Sequence, residues 1–290
     1  MLQKKISEYI IETLIKLSGL IVIGFVFLIF IFLLKDSLSL FGVYNISSFL
    51  FGTHWEPVSE PPKFGVIPLL VGSVYVTLIA ILICVPIGVG TAMFIAEVAP
   101  PSIKHVLKAS VEILASIPSV VLGFIGITWL GPFLKTTFYL PTGMCGLTGS
   151  LLLSFMALPT IISISEDAIV GVPKNYKEAA YGLGATRWQA LWRIILPAAS
   201  SGIIAAIMLG VGRVIGETMV VLMVTGNSPV IPASILQPLR TLTATVAGEM
   251  GETVSGSDHY FALFAVGLVL FIITFLVNFS AESFLRRARK

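Results

Sequence analysis

The chain has 290 residues, of which 56% are hydrophobic and only 11% are charged, and its mean hydropathy is +0.99. This composition excludes a soluble globular protein and indicates a chain that crosses a membrane several times. The formal net charge of +3 says little about partners, and we expect no nucleic acid among them.

A long apolar run near the start of the chain predicts the first crossing. Residues 17–34 carry no charge and are long enough to span the hydrocarbon core with little tilt. A cleaved signal peptide is the alternative, but the run is longer than the apolar part of an ordinary signal peptide. The polar residues 35–68 predict an outer loop, with Trp55 at the membrane interface.

Five further apolar segments predict five more crossings and an all-α polytopic membrane protein. Pro118 interrupts the third crossing and predicts a kink, because proline removes one backbone hydrogen bond. The cysteines, Cys84 and Cys145, fall in different layers, so neither a disulfide nor a metal site is expected. Outer loops are expected at 131–147 and 226–258, and crossings two to six at about residues 69–94, 110–130, 148–165, 198–225 and 260–280.

Lys and Arg residues are distributed unevenly between the two sides of the membrane. Six crossings put both termini on one side, where the segments hold 13 Lys and Arg residues against 4 on the other side. The positive-inside rule therefore predicts that both termini are cytoplasmic. The basic tail at 284–290 is expected to anchor the last crossing, with binding to anionic lipid as the alternative.

A polar stretch from Pro173 to Pro197 separates two apolar segments and predicts a helical hairpin. Pro173 suits a first helical position, and Gly184 can end the first helix. Thr186 and Gln189 have the spacing of a capping box that opens the second helix, which we expect to give way to the next apolar run at Pro197. Its positive charges predict a cytoplasmic position: Lys174, Lys177, Arg187 and Arg193.

The fifth crossing contains a pair of opposite charges. Arg213 falls near the middle of the apolar segment, and Glu217 follows one helical turn later on the same face. A charge at the centre of a membrane helix costs about 2.5–3.5 kcal/mol, so the pair should face protein or water. We expect Arg213 to line the passage and offer hydrogen-bond donors to an oxyanion, with Glu217 orienting or restraining it. The alternative is an ion pair that only fixes helix packing.

Small residues surround this pair. Gly212 and Gly216 form a GxxxG spacing that would let a second helix approach closely. Gly202, Ala206 and Gly210 lead onto the same stripe of the helix.

The hairpin carries a family resemblance. Glu178-Ala179-Ala180, three residues, Gly184, nine residues and a final I-x-L-P ending at Pro197 resemble the EAA loop of ABC-importer permeases at every signature position. The resemblance implies a type I importer fold in which this loop is the coupling helix that docks on the ATPase. It implies coupling roles for Glu178, Ala179, Ala180, Gly184, Thr186 and Arg187. For Glu178, a merely solvated helix face is the alternative to a contact with the ATPase.

Other stretches resemble phosphate-importer permeases of the PstC type. They include GRVIGETM at 212–219, RTLTATVAGEMGE at 240–252 and the apolar run at 259–275. The resemblance implies substrate-path roles for Arg213 and Glu217. It also implies four partners: a PstA-like permease, a dimeric ABC ATPase, an extracytoplasmic phosphate-binding protein, and phosphate as substrate.

The expected organisation has three parts. Residues 1–68 hold the first helix and its outer loop, 69–283 hold the importer core with the coupling loop at 173–197, and 284–290 form the tail. No phosphate cradle of the G-x-x-x-x-G-K-[ST] kind occurs, so ATP should be bound by a partner and this chain should need no cofactor.

Three other functions are alternatives to phosphate import. Permeases for molybdate, tungstate or sulfate share the coupling loop, although the 212–219 and 259–275 stretches favour phosphate. An intramembrane enzyme is disfavoured because His54, His105 and His259 all fall in loops or at membrane edges, and because H-E-x-x-H and G-x-S-x-G are missing. A signalling role leaves no recognisable mark in the sequence and could coexist with transport.

Overall fold

The structure is a computed structural model that describes the backbone of residues 2–288 and the side chains of residues 11–280, 282 and 283. Within those residues the chain is a helical membrane protein with one short antiparallel hairpin of two-residue strands. The side chains of the predicted basic tail at 284–290 lie outside the described residues.

The helices and strands, with π-helical turns written as continuations, have the following bounds. They are α1 Leu2–Phe41, α2 Ile46–Phe51, β1 Trp55–Glu56, β2 Lys63–Phe64, α3 Ile67–Met93 with Phe94–Val98, α4 Pro101–Ser116, α5 Ser119–Ile125 with Gly126–Leu130, α6 Gly131–Thr137, α7 Gly146–Val170, α8 Lys174–Gly182, α9 Arg187–Ala190 with Leu191–Ile195, α10 Leu196–Gly216, α11 Met219–Val224, α12 Leu242–Glu249 and α13 Asp258–Ala288.

Six helical segments of the described chain are long and apolar enough to cross a membrane, as the sequence predicts. Most extend beyond their predicted limits, because helices continue past the hydrocarbon core into its polar borders. The six segments are Ile11–Phe41, Ile67–Val98, Ser119–Thr137, Gly146–Val170, Arg187–Gly216 and Asp258–Ser280.

The fourth crossing, α7, is the central helix. It packs against α3 on one side and α10 on another, and 61% of its apolar window is buried. The first crossing, α1, has none of its apolar window buried and contacts mainly α13 at the periphery. A surface this apolar suits contact with lipid tails, which are as apolar as leucine.

Three apolar clusters lie along the bundle. The first cluster joins the ends of α3 and α7 to the start of α10, through residues such as Met93, Ile169 and Ile203. The second cluster is built on α3, α7 and α11. The third cluster joins the end of α1 to the β-hairpin and to α13. The first cluster therefore anchors the hairpin at 173–197 directly to the transmembrane core.

The prediction for the start of the third crossing is wrong. A crossing at 110–130 with a kink at Pro118 was expected, but the helix stops at Ser116, with Ile117 and Pro118 extended, and a new helix begins at Ser119. Proline lacks the amide proton and disfavours a helical conformation in the preceding residue, so here it separates two helices. The crossing itself is Ser119–Thr137.

Two predicted outer loops contain ordered structure. Trp55, for which the sequence predicts a position at the membrane interface, lies in strand β1 and is 1% exposed, because it packs against Phe64 and His259. The loop at 226–258 contains α12, whose first residues are buried against the bundle. Both segments therefore belong to the packed body of the protein.

Candidate functional site

The turn of the hairpin at 173–197 consists of a cap at the end of the first helix followed by a cap at the start of the second arm. Gly184 has φ +80°, a conformation that glycine adopts at no steric cost. The amides of Gly184 and Ala185 donate to the carbonyls of Tyr181 and Ala180, which is the Schellman arrangement at a helix end. The helix therefore ends where the sequence predicts.

The second arm of the hairpin begins with the predicted capping box. The Gln189 amide donates to Thr186 Oγ1 at 3.3 Å, and the Thr186 amide donates to Gln189 Oε1 at 2.9 Å.

Two predictions at the ends of the hairpin are wrong. Pro173 is the cap before the helix, not its first residue, and the second arm does not end at Pro197. It continues as one helix into the fifth crossing through the π-helical turn at Leu191–Ile195.

Most of the predicted coupling residues lie on the surface of the hairpin. Glu178, Ala179, Gly184, Thr186 and Arg187 are exposed. Ala180 is only 2% exposed. Exposed apolar side chains accompany them, and sequence reasoning missed these: Tyr176, Tyr181, Leu183, Trp188 and Trp192.

Ion pairs tie the hairpin and its root to the connection after α3. Lys177 Nζ on α8 contacts Glu97 Oε1 in the π-helical turn that ends α3. Glu166 on α7 has a side chain only 3% exposed, and it receives Lys108 Nζ at 2.5 Å and Lys104 Nζ at 3.1 Å from α4. The hydrogen bond from Lys108 to Glu166 raises the pKa of Lys108.

Each of these ion pairs joins two different elements. The end of α3 supplies the acid that pairs with the hairpin, and α4 supplies the bases that pair with α7. The ion pairs therefore tie the hairpin to the end of α3 and tie α4 to α7.

The charge pair of the fifth crossing is arranged differently from the prediction. Helix α10 ends at Gly216, and Glu217 is extended at φ −71° and ψ 130°, so Arg213 and Glu217 do not share a continuous helical face. Glu217 Oε1 instead accepts the amides of Met219 at 3.1 Å and Val220 at 3.3 Å and caps α11. No salt bridge joins the two charges in the described part of the chain.

The side chain of Arg213 is exposed beside this helix break. Its Nη1 donates to Thr160 Oγ1 on α7 at 3.1 Å. A guanidinium has five N–H donors, so a single hydroxyl partner leaves most of its capacity open to a further acceptor. The sequence did not reveal Thr160 as a partner of Arg213, because their hydrogen bond depends on the contact between α7 and α10.

Small residues on α10 explain how that contact forms, and the predicted GxxxG does not. A Cβ added at Gly202 would lie 2.4 Å from Ala168 Cβ, and one added at Gly210 would lie 2.7 Å from Ile161 Cγ1. A Cβ at Gly216 would meet no atom within 4 Å. The stripe through Gly202 and Gly210 thus seats α10 on α7, whereas Gly216 faces open space.

Neither cysteine forms a disulfide, since Cys84 and Cys145 are both free and buried. No group of three or more His, Cys, Asp or Glu side chains in the described residues has the geometry to hold a metal ion.

Comparisons with known proteins agree with this architecture. Residues 85–290 match the family of binding-protein-dependent transport system inner membrane components. The chain is 40% identical over 275 residues to the probable ABC transporter permease protein YqgH of Bacillus subtilis. This alignment covers 94% of the chain and 89% of the relative. It is also 40% identical over 271 residues to the phosphate transport system permease protein PstC of Mesorhizobium japonicum. That alignment covers 87% of the chain and 81% of the relative.

Solved structures show the same fold at lower identity. An inward-facing MetNI methionine ABC transporter aligns with a TM-score of 0.60 and 20% identity, covering 80% of this chain and 99% of that chain. A bacterial transporter that imports alginate aligns with a TM-score of 0.59 and 16% identity, covering 77% and 80%. The fold is therefore that of a type I ABC importer permease, and the chain belongs to the family of binding-protein-dependent transport system inner membrane components, where it is similar to permeases of the PstC type.

Proposed function

We propose that this chain is the transmembrane permease subunit of an ATP-driven importer of inorganic phosphate. In this proposal it forms the translocation path with a PstA-like permease and works by alternating access. The observation that carries the proposal is Arg213, a cation in a transmembrane helix whose guanidinium is exposed and bonded to Thr160 alone among the described residues. Relatives that are named phosphate transport permeases support the choice of substrate.

The geometry around Arg213 suits an oxyanion. The planar guanidinium can donate two parallel hydrogen bonds to phosphate, and the Thr160 hydroxyl, which accepts from Arg213, can donate a third through its own O–H. Glu217 lies one residue beyond the end of α10, where its carboxylate is engaged by backbone amides. It therefore repels the anion less than a free carboxylate would, and its role in this proposal is to shape the helix break beside the path.

The hairpin at 173–197 is the proposed docking surface for a dimeric ABC ATPase. Leu183 at its tip is 89% exposed and Trp188 is 62% exposed, which is costly for side chains of this kind unless a partner covers them. The neighbouring cleft has a volume of about 720 Å³ and is lined by Glu97, Tyr181, Arg187 and Trp188 among others. ATP is then bound by the ATPase, and this chain carries no cofactor.

The proposed orientation places the hairpin and both termini in the cytoplasm of a cell that holds this chain in its inner or plasma membrane. The uneven distribution of Lys and Arg supports it. An extracytoplasmic phosphate-binding protein then meets the opposite face, which includes the β-hairpin and α12. Labelling of single cysteines at 178–193 from each side tests this orientation, and labelling from outside alone would reject it.

Transport by the reconstituted complex tests the substrate path. Arg213→Ala should lower phosphate uptake by about tenfold or more, since a hydrogen bond to a charged group contributes about 1.5–3 kcal/mol. Lys135→Ala, which removes an exposed cation from α6, is the matched control and should transport at the parent rate. Parent-rate uptake by an Arg213→Ala complex that retains its ATPase would refute the proposed role.

The same preparation decides between phosphate and the other oxyanions. Binding and uptake are measured with phosphate, molybdate, tungstate and sulfate. A cognate binding protein that held molybdate and ignored phosphate would replace the substrate while leaving the permease role intact.

A further inference from the structure

Helix α12 connects the outer face of the protein to the helix break beside Arg213. At its N-terminal end, Thr243 Oγ1 donates to the carbonyl of Glu217 at 2.9 Å. The amide of Leu242 donates to Ser73 Oγ on α3 at 2.9 Å. This end of α12 is buried. The position of the Glu217 carbonyl therefore depends on where α12 lies.

The other end of α12 carries Glu249, whose carboxylate gathers partners from three separate segments. Trp55 Nε1 donates to its Oε2 at 3.1 Å, and His259 Nε2 lies 2.8 Å from the same oxygen. Arg240 Nη1 contacts Oε1, and Arg240 Nε donates to the carbonyl of Asn227 at 2.9 Å. The side chain of Glu249 is only 16% exposed, so its charge depends on these partners more than on water.

One of these partners belongs to a part of the chain outside the family match. Trp55 lies in strand β1, before residue 85, where the match to the family begins. Its ring is held in an edge-to-face contact with Phe64 of the paired strand, 5.9 Å between centroids. The outer segment at 42–66 therefore adds its own contact to a helix of the importer core.

We propose that Glu249 is a positioning residue that couples the outer segment at 42–66, through α12, to the helix break at Glu217. Displacement of the outer segment pulls on Glu249 through Trp55, and α12 passes this displacement as a rigid rod to Thr243. Its eight residues span about 12 Å at 1.5 Å per residue. The consequence for transport rests on the proposed function, whereas the mechanical coupling does not.

Fluorine NMR tests the coupling without any transport measurement. The full chain is labelled with 5-fluorotryptophan, and Trp55→Phe identifies the resonance of Trp55. Thr243→Val, which removes the hydroxyl at the far end of α12, should shift that resonance. Glu252→Gln, which changes an exposed carboxylate close to Glu249 in sequence, should leave it in place. A Trp55 resonance that Thr243→Val does not move would overturn the proposal.

Uptake by the reconstituted complex then tests the functional consequence. Glu249→Gln and Thr243→Val should each lower the maximal rate while the half-saturating concentration of the loaded binding protein stays unchanged. The double variant should lose less than the product of the two single losses, by about threefold or more, because coupled sites are not additive. If the loss of uptake in the double variant equalled the product of the two single losses, the two ends of α12 would act independently, and the proposed coupling would be overturned.

The variants also separate this proposal from failure of the protein to fold. Trp55→Phe keeps an aromatic ring beside Phe64 while it removes the N–H donor and part of the ring volume, so it provides the uptake test if Glu249→Gln does not fold. A parent complex that transports no phosphate would refute the proposed function, and the fluorine measurement would still decide the coupling.

Discussion

Replacing Gly202 by alanine would place a methyl group where α10 touches α7. The new Cβ would lie 2.4 Å from Ala168 Cβ and 3.5 Å from Ala168 Cα, whereas ordinary contacts lie at 3.4–4 Å. The clashing atom is itself a methyl group next to the backbone, so it cannot rotate away. The two helices must therefore separate by about 1 Å at this point.

The cost follows from two opposing effects. Overpacking a tight contact costs about 1–3 kcal/mol. Alanine in place of glycine within a helix stabilises the helix by about 0.5–1 kcal/mol. We therefore expect Gly202→Ala to lower the free energy of unfolding by about 1–2 kcal/mol. Gly90→Ala in α3 is the matched control, because a Cβ there meets no atom within 4 Å and only the favourable effect remains.

The measurement is unfolding of the purified chain in mixed micelles, followed as the fraction of SDS is raised. Opposite signs for the two glycine substitutions would support the close approach of α7 and α10. If Gly202→Ala were as stable as Gly90→Ala, the two helices would not be in contact at Ala168, and the seating of Arg213 beside Thr160 would lose its basis.

Three further outcomes are expected. Thr186→Ala should weaken the start of the second hairpin arm by about 1 kcal/mol, measured as faster amide exchange there, and unchanged exchange would contradict the capping box. Glu178→Lys and Leu183→Asp should each reduce ATPase retention on reconstituted complexes, and full retention by both would exclude the hairpin as the docking surface. Glu166 raises the pKa of Lys108 above its ordinary 10.5, so their pair contributes fully below that value and is lost as pH rises through the raised pKa. The stability difference between the parent and Lys108→Met should therefore be constant from about pH 6 to 9, and a change within that range would contradict the pairing.

The hairpin was predictable because its caps are local. The Thr186 and Gln189 capping box and the glycine turn each involve atoms within a few residues, so backbone chemistry alone specifies them. Exposure of Leu183 at the tip could have been inferred, since it directly precedes Gly184 in a short turn. Burial of Ala180 depends on how the two arms face each other, which spacing alone does not give.

The break after Gly216 could not be predicted from the spacing of Arg213 and Glu217. That spacing places two side chains on one face only if the helix is continuous. The break is held partly by Glu217 capping its own next turn and partly by Thr243, which lies 26 residues later. A glycine followed by an acid and a threonine is at most a weak signal of such a stop.

The sequence by itself determined that the chain is a membrane protein with six crossings, and it determined the form of the turn in the hairpin at 173–197. Apolar run length and local hydrogen bonding suffice for both, because lipid demands continuous helices and caps act within one turn. Only the tertiary structure decided which charges meet. Glu97 pairs with Lys177 and Glu249 gathers Trp55, Arg240 and His259 because separate segments converge in space, and periodicity carries no information about such contacts.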